Sequence, residues 1–299
     1  MKTLFQLILA VFLFGIFPAY AQGDSIPGVV RTIQKSVTWL GDHHFMVRKT
    51  FDGAKDEAKP ATATWNKDYE NDRFYSIVDV AVKLYEFPVI ERDVDLLFYP
   101  KIEFHENTIP DESKRKNTLS GGINTELLCN LGSAWYTHPF VTGSFDYKTD
   151  RIKEIETIQA KSFLSFSGSK AGEPGAQIKD GTDALIFRYY PYSGFEYYQV
   201  TEGSGKRASM WVNRLYFDFF PFSRYHYTFV QLSFDYSYRS IIRDDLYAQG
   251  NVDWLAVSLI FFPDGKGNFG IGIDYSVGED PSANFVKTDV LALGVKLKI

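Results

Sequence analysis

Residues 269–278 alternate between two kinds of side chain, with Phe269, Ile271, Ile273, Tyr275 and Val277 on one side and Gly270, Gly272, Asp274, Ser276 and Gly278 on the other. The last residues repeat the pattern, Leu291, Leu293, Val295, Leu297 and Ile299 opposing Thr288, Ala292, Gly294, Lys296 and Lys298. Within 225–239, Val230, Leu232, Phe234, Tyr236 and Tyr238 oppose Gln231, Ser233, Asp235, Ser237 and Arg239. A period of two means a sheet whose faces meet unlike surroundings. The same sorting runs through 74–87, 94–105, 119–131, 135–148, 154–166, 183–190, 195–201, 210–220 and 252–262, which predicts about twelve strands, ten or fourteen being the other even counts that fit.

Turn residues punctuate the pattern. Pro263-Asp264-Gly265-Lys266-Gly267-Asn268 predicts a tight hairpin connection, and 190–194 and 220–224, each a proline among aromatics, predict two more corners, because proline has no N–H for a ladder. The connections at 201–208, 240–250 and 278–284 read as longer and more polar, and 170–181, rich in glycine and polar residues, as a long surface loop. Before residue 73 the pattern changes. Val30, Ile33, Val37 and Leu40 recur at helical spacing, which fits a short amphipathic helix over 27–40 that plugs or caps a barrel mouth, or a loosely ordered leader. Residues 43–51 are compatible with an extra strand, and 52–72, charged and carrying Ala58-Lys59-Pro60, read as linker or loop.

The start of the chain says where such a sheet belongs. Lys2, an apolar run over 4–17 and Ala19-Tyr20-Ala21 have the form of a secretory signal peptide cleaved near Ala21. The run is short of the roughly 20 residues that a spanning helix needs. A mature chain in a membrane must therefore cross it as strands in a closed barrel, since hydrocarbon leaves an open sheet edge without partners. Aromatics are 17% of the chain and charged residues 23%, a mixture that suits strands with one apolar and one polar face. A soluble β-sandwich would show the same alternation, its polar face meeting water.

On Ala19-Tyr20-Ala21, the alternating strands and the terminus at 289–299, the chain resembles the outer-membrane β-barrel proteins of Gram-negative bacteria. That class commonly ends in Phe, where this chain has Ile299. The resemblance implies an all-β, antiparallel transmembrane barrel over 73–299, preceded by a signal peptide (1–21) and a short periplasmic segment (22–72). It also implies location in the outer membrane, contact with its lipid and lipopolysaccharide, and recognition of the C-terminal strand by the barrel-assembly machinery. It carries no catalytic residue across.

The chemistry on offer is a charged lumen. The inward positions that the alternation assigns are Asp79, Lys83, Asp95, Lys101, Glu103, Glu126, Asp146, Lys148, Arg188, Arg214, Asp218, Asp235, Arg239, Asp274, Lys296 and Lys298. Both signs are interleaved, so these groups can pair across the interior, whereas wide aqueous pores need roughly 16–18 strands. A formal charge of −5 without a basic stripe gives no footprint for nucleic acid. No cofactor, metal or catalytic set is expected: His43 and His44 would point to opposite faces of a strand, and His138, Ser144 and Asp146 lie too far apart along one strand for a proton relay. Cys129, the one cysteine, falls on an apolar face. These readings make the chain a non-enzymatic narrow channel, a transport component for a small solute, or an envelope structural protein. The alternative is a barrel enzyme acting on lipid or lipopolysaccharide, which requires a histidine on the lipid-facing rim.

Overall fold

The computed structural model describes residues 45–53, 59–68, 73–91, 94–129, 137–168, 173–174, 178–179, 185–201, 205–221, 229–247, 250–263, 265 and 267–298. Its strands are β1 (Met46–Arg48), β2 (Ala61–Asp68), β3 (Arg73–Lys83), β4 (Phe87–Glu91), β5 (Val94–Asn107), β6 (Asn117–Cys129), β7 (Thr137–Asp150), β8 (Ile155–Gly168), β9 (Ile178–Lys179), β10 (Leu185–Val200), β11 (Arg207–Pro221), β12 (Val230–Asp244), β13 (Val252–Phe261), β14 (Phe269–Asp280) and β15 (Val286–Leu297). Twelve of them close into one antiparallel barrel in the order β2-β3-β5-β6-β7-β8-β10-β11-β12-β13-β14-β15, and the last strand returns to the first through Gly294–Leu297 against Ala61–Thr64. Gly294 sits on that seam because a Cβ there would overlap Thr64 and the Ala63 carbonyl. Closure leaves neither of the paired sheets that a sandwich requires.

The count of twelve strands holds, although two of its members differ from those that the sequence predicts. The corner expected at 190–194 lies inside β10, which runs unbroken and pairs with β11 from Leu185 to Gln199. Pro191 is tolerated because its carbonyl accepts the Ser165 hydroxyl at 2.6 Å on the side of β8, where the β8–β10 ladder reaches only to Ser193. The absent N–H therefore breaks no rung. In compensation, 61–68, expected to be linker, forms β2 and closes the barrel.

The interval before β2 has its own geometry. Both β1 and β2 lie along the same side of β3, with Met46 opposite Lys83, Arg48 opposite Ala81 and Thr62 opposite Asp79. They are one strand interrupted by residues 49–60, and the neck of the interruption is closed by Lys49 N donating to Lys59 O at 2.9 Å. The helix expected over 27–40 lies outside the described residues.

The ends of β2, β5, β7, β10, β12 and β14 gather at one end of the barrel. The ends of β4, β6, β8, β11, β13 and β15 gather at the other, together with the start of β1. The longest connection, 169–184, stands at the end that carries the first and last strands, and 278–284 is a compact turn built on a short 3-10 helix, Pro281–Ala283.

The two faces are sorted as the alternation predicts, in the reverse of the usual order for a water-soluble protein. Outward positions include Phe74 at 78% exposure, Leu291 at 66% and Phe145 at 60%, with Ile271, Ile273, Leu259 and Trp211 among their neighbours. Inward positions include Asp218 at 0% and Lys296 at 1%. Apolar clusters inside are small, and they sit toward the ends: Phe140, Phe163, Tyr190, Tyr192, Val212 and Tyr216 in one, Tyr198, Ala208, Met210, Val252 and Phe285 in another.

Candidate functional site

Every second residue of the barrel strands points into the lumen, so each strand contributes a column of polar groups. Register then decides which columns meet. Arg239 lies against Glu196 (Nε to Oε2 2.9 Å), Arg214 grips both oxygens of Asp235 at 2.6 and 2.9 Å, and Arg188 reaches Asp218 at 3.3 Å. Lys101 stands 3.0 Å from Glu103 and 3.2 Å from Asp146, Lys296 pairs with Asp274, and Lys83 pairs with Glu86. His105 is clamped between Asp79 (2.9 Å) and Glu103 (3.4 Å). Buried charges persist only when paired in this manner, because an unpaired ion away from water costs several kcal/mol.

Of the inward candidates, Asp79, Lys83, Lys101, Glu103, Asp146, Asp218, Arg239 and Lys296 are buried, and Arg188, Arg214, Asp235 and Asp274 partly so. Glu126 is half-buried and accepts the Tyr99 hydroxyl at 3.0 Å. Asp95 is exposed, on the part of β5 that pairs with β4. Lys298 follows the end of β15, its N–H donating to Asn268 O. The charged network therefore occupies the middle of the barrel, and Asp95 lies outside it.

Two segments that are not barrel strands enter the lumen. From the interrupted strand, Phe51 is buried with an edge-on contact to Tyr99 (centroids 5.7 Å apart), its N–H donates to Glu103 at 3.0 Å, and its carbonyl accepts Asn124 Nδ2 at 2.8 Å. The Asp52 carboxylate meets Lys161 at 2.8 Å, while its carbonyl accepts Lys59 at 2.8 Å and Arg214 at 3.3 Å. Lys59 also approaches Asp235 at 3.3 Å. Burial works against the charged form of Asp52, but the fields of Lys161, Lys101 and Lys59 outweigh it and hold the carboxyl well below the usual range.

At the opposite end the 281–285 turn folds inward. Lys148 donates to Ser282 O and Asn284 Oδ1, both at 3.0 Å, and Asn284 donates to Asp150. Lys116, from the β5–β6 connection, reaches Asp79 (3.0 Å), Asp280 (3.4 Å) and Ser282 Oγ (3.0 Å). Burial opposes its charge, yet Asp280 and Asp79 prevail and hold its pKa well above the ordinary lysine value. Phe285 packs on Tyr198 and Tyr247 and lies under Arg239.

Between the two intrusions is a cavity of about 210 Å³, lined by Asp52, Lys101, Lys116, Lys148, Lys161, Arg214 and other polar groups. That is room for several waters or one small solute. Sequence reasoning missed Asp52, Lys59, Lys116, Lys161 and Glu196. Lys161 and Glu196 were within reach, since they alternate in step with Gln159 and Tyr198, whereas Asp52 and Lys59 sit in a charged stretch with no strand signal. Comparison of the chain with models of known protein families finds no match, and comparison with curated proteins finds none either.

Proposed function

We propose that the protein is a non-enzymatic outer-membrane β-barrel of a Gram-negative bacterium, exported with a leader removed near Ala21, whose lumen is a narrow, stoppered path for a small solute. The observation that carries this reading is the inversion of the barrel. Its wall is apolar where it faces out and charged where it faces in, which is unfavourable in water and favourable with hydrocarbon around the wall. An envelope structural role is the outcome if the path never opens. The same reading gives the chain lipid and lipopolysaccharide as its surroundings and the assembly machinery as the partner of β15.

A lipid-acting enzyme has less support. His105 is buried in the lumen between two carboxylates, and His138 shares the inward face of β7 with the buried Phe140, so neither stands on the outer rim.

The test is refolding of the chain from residue 22 in detergent, then transfer to lipid vesicles. The expected result is a heat-modifiable band on gels and flotation with the vesicles. A chain that stays folded in detergent-free buffer, with no affinity for vesicles, overturns the reading. Leu291→Arg, on the outer face, is expected to destabilise the vesicle-bound barrel by about 2–4 kcal/mol in urea unfolding, as charge on a lipid-facing strand does near mid-bilayer. A neutral result there points to water outside the wall.

A further inference from the structure

The inward cations do not all find their counter-ions in the same place. Lys101, Arg188, Arg214, Arg239 and Lys296 each meet a carboxylate carried by another position of the barrel wall. Lys161 and Lys148, on the adjacent strands β8 and β7, do not. Among the described residues, the carboxylate at ion-pair distance from Lys161 is Asp52, which belongs to the intruding segment, and Lys161 is only 11% exposed. Lys148 has no carboxylate at that distance among the described residues; its ammonium is held by Ser282 O and Asn284 Oδ1 of the intruding turn. Both lysines line the same cavity. The wall thus presents two cations whose partners are supplied by the two stoppers.

From this we infer that the lumen is a site for small anions and that Asp52 occupies it in place of the ligand. A lone carboxylate seated on a buried lysine is what a bound carboxylate-bearing or inorganic anion would look like. Arg214, 5.0 and 5.5 Å from the ring centroids of Tyr192 and Tyr216, donates to the Asp52 carbonyl at 3.3 Å and lines the same cavity. Withdrawal of Asp52 leaves Lys161 with no carboxylate at ion-pair distance among the described residues, and an anion entering from solution restores the balance. Withdrawal of the segment also takes Lys59 from Asp235 and Lys49 from Asp79, but Arg214 keeps the first paired and Lys116 with His105 the second, so cations gain no comparable site. The inference rests on the membrane-barrel reading.

The experiment is planar-bilayer recording of the refolded full mature chain in a potassium chloride gradient, with succinate as a second probe. Three proteins are compared: the parent, Asp52→Asn, and Asp52→Asn combined with Lys161→Gln. Heat-modifiable mobility and vesicle flotation are read on each, so that a failure to fold or insert is seen separately. Neutralising Asp52 is expected to raise the frequency of discrete openings roughly fivefold, since loss of one partly exposed pair shifts a two-state equilibrium by about that factor. The reversal potential is expected to show chloride preferred over potassium, with succinate reducing the chloride current. The double variant is expected to open as often and to lose the anion preference.

An Asp52→Asn protein that inserts and remains as silent as the parent overturns the inference while leaving the membrane reading intact. Openings that prefer potassium overturn it as well. A parent that neither floats nor shows heat-modifiable mobility overturns both readings together. Should Asp52→Asn alone fail to fold, Phe51→Ala, which removes the contact with Tyr99 and keeps the charge, is recorded in its place with the same expected direction and a smaller rise. Silence of that variant counts against the inference equally.

Discussion

The two ends of the lumen are stopped by different chemistry. At the end where β1 begins, the segment around Asp52 is held by a charge, several main-chain hydrogen bonds and one aromatic ring, Phe51. At the other, the 281–285 turn is held by neutral acceptors for Lys148 and by Phe285, 1% exposed in a cluster with Tyr198, Met210 and Val252. The first has a third of its anchoring carboxylate open to the cavity, the second almost nothing open. Apolar packing far from water is lost only with unfolding, whereas an ion pair facing a wet cavity exchanges with solvent ions. One end is built as structure, and the other is suited to release.

Four changes break or sharpen this contrast. Phe285→Ala removes a fully buried ring and is expected to cost about 3–5 kcal/mol in urea unfolding of the refolded barrel. A loss below about 1 kcal/mol would mean that the turn is no more firmly seated than its counterpart. Next, Asn284→Ala deprives Lys148 of an acceptor and Asp150 of a donor, with an expected cost of about 1–3 kcal/mol by the same assay. Asp52→Asn breaks a pair that is partly open to the cavity, so solvent offsets much of the loss and about 1 kcal/mol is expected. A cost comparable with that of Phe285→Ala would remove the distinction between the ends.

Acid supplies the smallest and most reversible change. The folded-state pKa of Asp52 is depressed, so its contribution is complete above the ordinary carboxylate value of 3.8 and is lost progressively as pH falls below it. Lowering the pH from 7 toward 3 is therefore expected to increase openings in the parent chain and to leave Asp52→Asn less affected. Equal acid responses in the two proteins would show that other carboxylates, among them Asp235 and Glu103, govern the path.

Much of the barrel was legible because alternation is local. Leu291 and Lys296 declare opposite faces within one strand whatever the rest of the chain does, and the same holds for Tyr236 and Arg239. Corners were less legible. Pro191 reads as a turn when only its missing N–H is considered, and the neighbour that makes the gap harmless, Ser165, lies 26 residues away. Strand β2 was hidden for the opposite reason, since Ala61–Asp68 carries little apolar contrast and joins the sheet by meeting β15 at the seam.

The sequence by itself determined which side chains share a face of each strand and that one of the two faces is charged, because period-two alternation requires no knowledge of partners. Only the tertiary structure decided which charges meet. Lys161 and Asp52 are 109 residues apart, Lys148 and Asn284 136, and Lys116 and Asp280 164. Such pairs are set by strand register and by closure of the sheet on itself, which are properties of the whole ring. The stoppers depend on them entirely, since a segment becomes a plug only when a lumen exists to receive it.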